Sequence, residues 1–466
     1  MTATRIPQSP TPSISPKASN IGARVALGVA VVVGAVGLGY VGNSLSAVIA
    51  LAVLAGVGIG VSLILKRPEL LLPIAIMSLW FEAIAAGPVS LGRVVGLLIP
   101  IAVIALVLTT GWRPPALQTR AWAPAMLLLI WSWCGAFYSE QVVNGWFYES
   151  FTLFLGVAYG VAFIAFTRSP DQLRSIFRIF VWTGALIAVL SDIAFFGLGY
   201  RGYGFTGGAN NYAAILVTAL PIIVLLARQE TGRARFWMWA TVPVYLSAIA
   251  ASGSRMGMIL AGVMGAYIFI TLPGVNLQRR LLLIVGGGIA MVLGFFVFVL
   301  LNPGRFTLGA LFSDRGAGRL DIWPAAIAMF KDHPLIGRGL GGFRVNSYEI
   351  TQRTSGAGLQ ILRGDIKLGY IEVHNTYLYL LTDLGLIGVV LYLGLIAATL
   401  KNLADLLRTP WAPFAWAFIG VIITALVANM FGTSLGSKLL WSIVGFTAAC
   451  YTKKRVERRV VTVAAA

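Results

Sequence analysis

The chain has 466 residues, of which 58% are hydrophobic and only 11% charged, with a mean hydropathy of +0.86. Soluble domains carry roughly 25% charged residues, so a soluble protein is excluded; at ~20 apolar residues per bilayer crossing there is little room for a separate soluble domain. The net charge of +19 is read first as a question of which side of a membrane holds each charge, and not as a nucleic-acid footprint.

Residues 1–20 are rich in Pro, Ser and Thr, carry Arg5 and Lys17 and show no apolar period, which predicts a disordered polar tail. The run 21–41 is too long for a signal-peptide core and has no convincing cleavage site after it, so it reads as a retained anchor. Apolar runs follow at 46–65, 70–86, 91–109, 123–138, 147–166, 177–198, 211–227, 237–251, 257–273, 281–301, 374–400, 412–431 and 437–452. The expected fold is all-α, a polytopic membrane protein with about 14 spanning helices, or 12 if short runs are re-entrant or fused. It divides into the tail 1–20, a first block of spans 21–301, a long loop 302–373, a second block 374–452 and a basic tail 453–466. Cys134 and Cys450 lie in apolar stretches near opposite ends and predict neither a disulfide framework nor a metal site.

With the N-terminus inside, the inner connections and tails collect 22 of the 35 basic residues, including five at 453–459. The short outer connections carry only Arg93, Arg201, Arg255 and Lys438, the asymmetry expected of positive-inside insertion. Both termini are thus expected in the cytoplasm, and most of the net charge is orientation signal and contact with anionic lipid.

The outer segment 302–373 holds the other nine basic residues and six acidic ones. From Gly318 to Phe330 the spacing is helical, with Pro324 tolerable in an early turn and Ile322, Trp323, Ala326 and Phe330 on one face, which predicts a helix lying on the membrane. Gly337, Gly339, Gly341 and Gly342 then break the pattern; no strand precedes them and no Lys-Ser/Thr follows, so a nucleotide loop is not expected.

Polar residues on the outer side near span ends are few, and they are the candidates for chemistry. His374 begins the run 374–400, at a helix N-terminus whose positive end disfavours imidazolium, so a neutral base is expected there. A cap or headgroup anchor is the alternative, and His333, beside Pro334, reads as structural. Arg255, in Ser252-Gly253-Ser254-Arg255, lies between runs of only 15 and 17 residues, about 22 to 26 Å of helix against a core of ~30 Å. The turn is expected to be recessed, and an arginine there, costing about 2.5–3.5 kcal/mol at membrane depth, calls for a partner or an anionic ligand such as phosphate; snorkelling to headgroups is the bland alternative. Arg201 sits in a connection dense in Gly, Asn and aromatics, a composition that fits a sugar-binding surface or an ordinary turn at an aromatic belt. The loop acids Asp314, Asp321, Asp332, Glu349, Asp365 and Glu372 form no DxD pair or metal-ligand spacing, so no metal is expected. Asp192 and Asp383 fall within or near the ends of apolar runs; Asp383, nine residues after His374, lies on the opposite helix face and is expected to pair with a neighbouring helix.

These residues resemble the O-antigen ligase and O-antigen polymerase superfamily of bacterial envelope glycosyltransferases. The resemblance lies in Gly204-Phe205-Thr206-Gly207 with Asn210-Asn211-Tyr212-Ala213, in Ser252-Gly253-Ser254-Arg255, in Gly318-Arg319 through Trp323 to His333-Pro334-Leu335-Ile336-Gly337-Arg338-Gly339-Leu340-Gly341, and in His374-Asn375-Thr376-Tyr377-Leu378 through Leu384-Gly385-Leu386-Ile387-Gly388. It covers about residues 200–400 and is closest to the ligases; Arg338 departs from it, because the family often has a small or apolar residue there.

The resemblance implies a metal-independent, cofactor-free enzyme of the bacterial inner membrane with its site facing the periplasm. Its donor would be a glycan on undecaprenyl diphosphate and its acceptor a sugar hydroxyl of lipid A–core, with membrane lipids as surroundings and no nucleic acid partner. Carried onto this chain, the family's histidine matches His374 and its arginines match Arg201 and Arg255; Arg319 and Arg338, in the matching loop segment, join the expected substrate-binding set. A single displacement would invert the anomeric centre. A polymerase with a second lipid-linked glycan as acceptor would use much the same groups, as would a peptidoglycan or protein O-glycosylating relative. A lipid-linked glycan flippase or transporter should show internal repeats or broken helices around a midplane site; no clear repeat is seen, and the polar groups lie at the outer boundary.

Overall fold

The computed structural model describes residues 67, 70–82, 84–86, 89–110, 119–139, 142–167, 169–301, 319–355, 372–433 and 435–464. The expected tail 1–20 and the runs 21–41 and 46–65 lie outside the described residues, as do 302–318 and 356–371 of the long loop. Before the loop come α1 (Leu71–Ser78), α2 (Leu91–Thr110), α3 (Trp122–Cys134), α4 (Tyr148–Phe166), α5 (Pro170–Leu198), α6 (Ala209–Gln229), α7 (Gly232–Ala251), α8 (Arg255–Thr271) and α9 (Leu277–Leu301). Within the loop lie α10 (Arg319–Asp332) and α11 (Gly342–Ser355), and after it α12 (Thr376–Leu406), α13 (Ala412–Ala428) and α14 (Lys438–Ala464). Among the described residues the only sheet is a two-residue antiparallel pair, Ala85–Ala86 with Val89–Ser90.

Among the described residues the protein is helical, with five segments long and apolar enough to cross a membrane: Gly145–Phe166, Pro170–Leu198, Ala209–Gln229, Leu277–Val297 and Thr376–Leu406. Five shorter apolar helices accompany them, among them Arg255–Thr271 and Ala412–Ala428, so the expectation of about 14 full spans is not carried by helix length. α14 continues to Ala464, through the segment expected as a basic tail.

Local sequence explains the ends. α5 starts where Ser169 accepts a hydrogen bond from Gln172 N at 3.1 Å, with Pro170 in the first turn and Asp171 near the positive end of the helix. It stops at Gly199, whose φ of 70° suits the left-handed cap that receives the last carbonyls.

The helices pack by close backbone approach. α4 carries Gly156 and Gly160 four residues apart, and α14 lays Trp441 and Gly445 against them. A Cβ on Gly445 would collide with the Gly160 carbonyl, which is backbone and has nowhere to move. Gly445→Val is expected to separate the two helices and lower stability by about 1–3 kcal/mol or more. Thermal unfolding of the detergent-purified variant checks this, and an unchanged melting temperature contradicts it.

Two expectations need correction. The helix from Arg319 does not lie on the membrane with its apolar face in lipid: Ile322, Ala325, Ala326 and Met329 are buried against protein, because α10 packs on α11 and α12. The run 374–400 is not one unbroken helix either, since Gly385 has φ 66° and ψ −167° and breaks α12. A break frees main-chain groups, which lipid cannot satisfy. Here the segment 334–339 takes them: Leu386 N donates to Pro334 O at 2.9 Å and Ile387 N to Leu335 O at 3.3 Å. In return Arg338 N donates to Thr382 O at 3.0 Å and Gly339 N to Asp383 O at 2.8 Å. Glycines at 337 and 385 are required because a Cβ on either would strike the opposing backbone.

Candidate functional site

The turn between α7 and α8 is buried, with Ser252 and Ser254 almost fully enclosed. Ser254 caps α8 by accepting from Gly257 N at 3.0 Å and donates its hydroxyl to Asn210 Oδ1 at 2.7 Å. Arg201 grips the same turn, its Nε donating to Ser252 O and its Nη2 to Gly253 O at 3.2 Å. The Gly/Asn-rich connection and the Ser-Gly-Ser-Arg turn, some fifty residues apart, are thus one structural unit, and Arg255 begins α8 from it.

Part of this unit walls a cavity of about 980 Å³ lined by Arg201, Asn210, Asn211 and Met256; Arg255 itself does not line it. His374 lines the same cavity. It precedes Asn375, whose side chain caps α12 by accepting from Tyr377 N at 2.9 Å and Leu378 N at 3.1 Å. Among the described residues His374 is the one non-glycine with positive φ, 49°, a backbone conformation that costs energy and gathers at functional sites. Its side chain is 39% exposed, and Nδ1 stands 3.9 Å from Glu372 Oε2, too far for a hydrogen bond.

The remaining candidates lie differently. Arg319 Nη2 donates to Phe431 O at 3.0 Å and so ties α10 to the turn after α13, whose Phe431, Gly432 and Thr433 line the cavity; Arg319 does not line it. Arg338 is also outside that lining and pairs with Asp332 at 3.3 Å within the loop. Asp383 meets a loop helix: Oδ2 accepts from Gly341 N at 2.7 Å and Oδ1 from Phe343 N at 2.9 Å. The N-terminus of α11, which the glycine pattern brings under suspicion as a phosphate loop, is therefore occupied by a carboxylate of the protein. Asp192, on α5, accepts from Ser247 Oγ on α7 and does not line the cavity.

Several cavity residues are absent from the sequence-derived candidates. Glu149, on the first turn of α4, pairs with Arg344 of α11 at 3.3 Å and accepts from Tyr379 Oη of α12 at 3.3 Å. The guanidinium groups of Arg93 and Arg344 lie 4.6 and 5.1 Å from the centre of the Tyr148 ring. Lys438 is only 4% exposed and pairs with Glu82; both line the cavity. Arg93 and Lys438 stand on connections that the charge pattern leads one to expect outside, whereas Glu149 is a lone acid in an apolar run and carries the same signal with the opposite sign.

Residues 240–393, about a third of the chain, match the family model described as O-antigen ligase. The match supports the O-antigen ligase superfamily and an activity of the ligase or polymerase type; it spans Arg255, Arg319, Arg338, His374 and Asp383, while Arg201 and Glu149 precede it. None of the curated proteins matches the chain.

Proposed function

We propose that the chain, on its likeness to O-antigen ligases, transfers a glycan from undecaprenyl diphosphate to a sugar hydroxyl of lipid A–core at the periplasmic face of the bacterial inner membrane. The observation that carries this reading is the shared cavity: an imidazole at a helix N-terminus and the arginine that organises the Ser252–Arg255 turn open into one space. Arg93, Arg201, His374 and Lys438, which line that space, belong to segments that the charge pattern would put on the outer side.

In the reaction the acceptor oxygen forms a bond to the anomeric carbon while the bond from that carbon to the diphosphate oxygen breaks. His374 takes the hydroxyl proton through a ring nitrogen. Arg201, which lines the cavity, stabilises the charge that collects on the departing diphosphate, and the likeness to the ligases assigns Arg255 the same task. A positioned base contributes on the order of 10²–10⁴-fold, and preorganised cations away from bulk water contribute comparably. One displacement inverts the anomeric centre. The donor is already activated, so neither nucleotide nor metal enters the scheme.

The broken α12 is the feature that would favour a transporter, but its freed main-chain groups are taken by residues 334–339 and not left open to a ligand. The deciding experiment incubates the membrane-reconstituted chain with undecaprenyl-diphosphate-linked glycan and lipid A–core. Glycan joined to lipid A–core supports the ligase; growth of the lipid-linked glycan itself would make the chain a polymerase. In the same assay Arg255→Lys is expected to lose about tenfold or more of the activity, since a point charge does not reproduce a bidentate grip on phosphate. Full activity in that variant would reduce Arg255 to a headgroup anchor.

A further inference from the structure

Glu149 is the point where three elements meet. Arg344 reaches its Oε1 from α11 and Tyr379 its Oε2 from α12, and the carboxylate itself stands on the first turn of α4. It lines the cavity with 23% of its side chain exposed, and Glu372 and His374 line that cavity with it. A carboxylate has about four acceptor directions, and these two partners use two of them. An acid this close to the membrane is costly unless paired, and Arg344 alone would satisfy a purely structural need by burying it. Here the carboxylate is instead left open to the cavity that His374 also lines.

Resting on the transferase reading above, we propose that Glu149 is the acceptor-binding residue of this cavity, taking hydrogen bonds from sugar hydroxyls next to the one that His374 deprotonates. Glu149 is already paired with Arg344, and Arg201 stands at the Ser252–Arg255 turn that the donor reading uses, so a neutral polyhydroxyl ligand is the class suited to a carboxylate flanked by a tyrosine. The ligand class is a hexose- or heptose-like ring with adjacent hydroxyls, supplied by lipid A–core or by a second lipid-linked glycan. Arg344 and Tyr379 are positioning residues, because they hold the carboxylate and make this wall depend on the docking of α11.

The test is steady-state kinetics of the full chain in lipid nanodiscs. Undecaprenyl-diphosphate-linked glycan and acceptor are varied separately, with lipid A–core in one arm and a second lipid-linked glycan in the other. Glu149→Gln is expected to raise the KM for the acceptor used by the wild type about tenfold or more and to leave the donor KM within about twofold. Tyr379→Phe is expected to shift acceptor KM in the same direction by less, and it carries the test if Glu149→Gln fails to accumulate in membranes. Equal rises in both KM values, a fall in kcat with both KM values unchanged, or wild-type kinetics would overturn the assignment. Wild-type chain that transfers glycan to neither acceptor would instead overturn the transferase reading, whatever the variants do.

Discussion

His374→Ala is expected to abolish detectable glycan transfer, a loss of about 10²–10⁴-fold, while the protein still inserts and melts as the wild type does. The separation of activity from stability follows from how α12 begins. Its cap is the side chain of Asn375 and not the imidazole. The next residue is anchored independently: Thr376 N donates to Asn429 O at 2.7 Å and Thr376 Oγ1 to Gly432 O at 2.8 Å. Removing the ring therefore leaves the start of the helix in place. Alanine meets the same positive φ as histidine, so the backbone cost of that conformation, about 1–2 kcal/mol, is common to both chains. Transfer of radiolabelled glycan to lipid A–core, measured beside the melting temperature, checks both halves of the expectation. Near-normal transfer would remove His374 as the base, and a large drop in melting temperature would make it a structural residue.

The cations and imidazole near the span ends are legible in the sequence because charge in an apolar chain is expensive and must be placed on purpose. That single rule finds His374 and Arg201, which the fold gathers into one cavity. The same rule reaches Glu149 only if acids are weighed like bases, since a lone carboxylate on the first turn of a span is as conspicuous as an arginine. Other features depend on tertiary pairing and have no local signature. The glycines at 337, 339 and 341 announce a turn, but not that it fills the break in α12 some fifty residues on. The apolar face of α10 is visible as a face, yet helical spacing does not tell lipid from protein as its partner. Arg319 and Arg338 lie in the matching motifs and outside the cavity lining, because residues that tie the loop down recur in a pattern as readily as residues that touch substrate.

Asp383→Ala is expected to destabilise the protein by about 2–6 kcal/mol, from two buried main-chain N–H groups, at Gly341 and Phe343, losing their acceptor at roughly 1–3 kcal/mol each. The helix-face argument places Asp383 away from His374, and the structure shows what it meets there: the N-terminus of α11, with Thr382 Oγ1 also donating to Oδ1 at 3.0 Å. Asp383→Asn keeps one acceptor oxygen but turns an amide N–H₂ toward a backbone donor, so it should lose a smaller part of the same stability. The main-chain bonds from Arg338 N and Gly339 N to residues 382 and 383 survive either change, which keeps the loop tethered while α11 loosens. Arg344, two residues past the start of α11, then holds Glu149 less firmly, so residual transfer in Asp383→Asn should show a raised acceptor KM before any change for the donor. Thermal unfolding of both variants, with hydrogen exchange at the Gly341 and Phe343 amides, reads the expected order of wild type, Asn and Ala. Wild-type protection at those two amides in Asp383→Ala would mean that α11 is held by its packing on α10 and α12, and that the carboxylate serves another purpose.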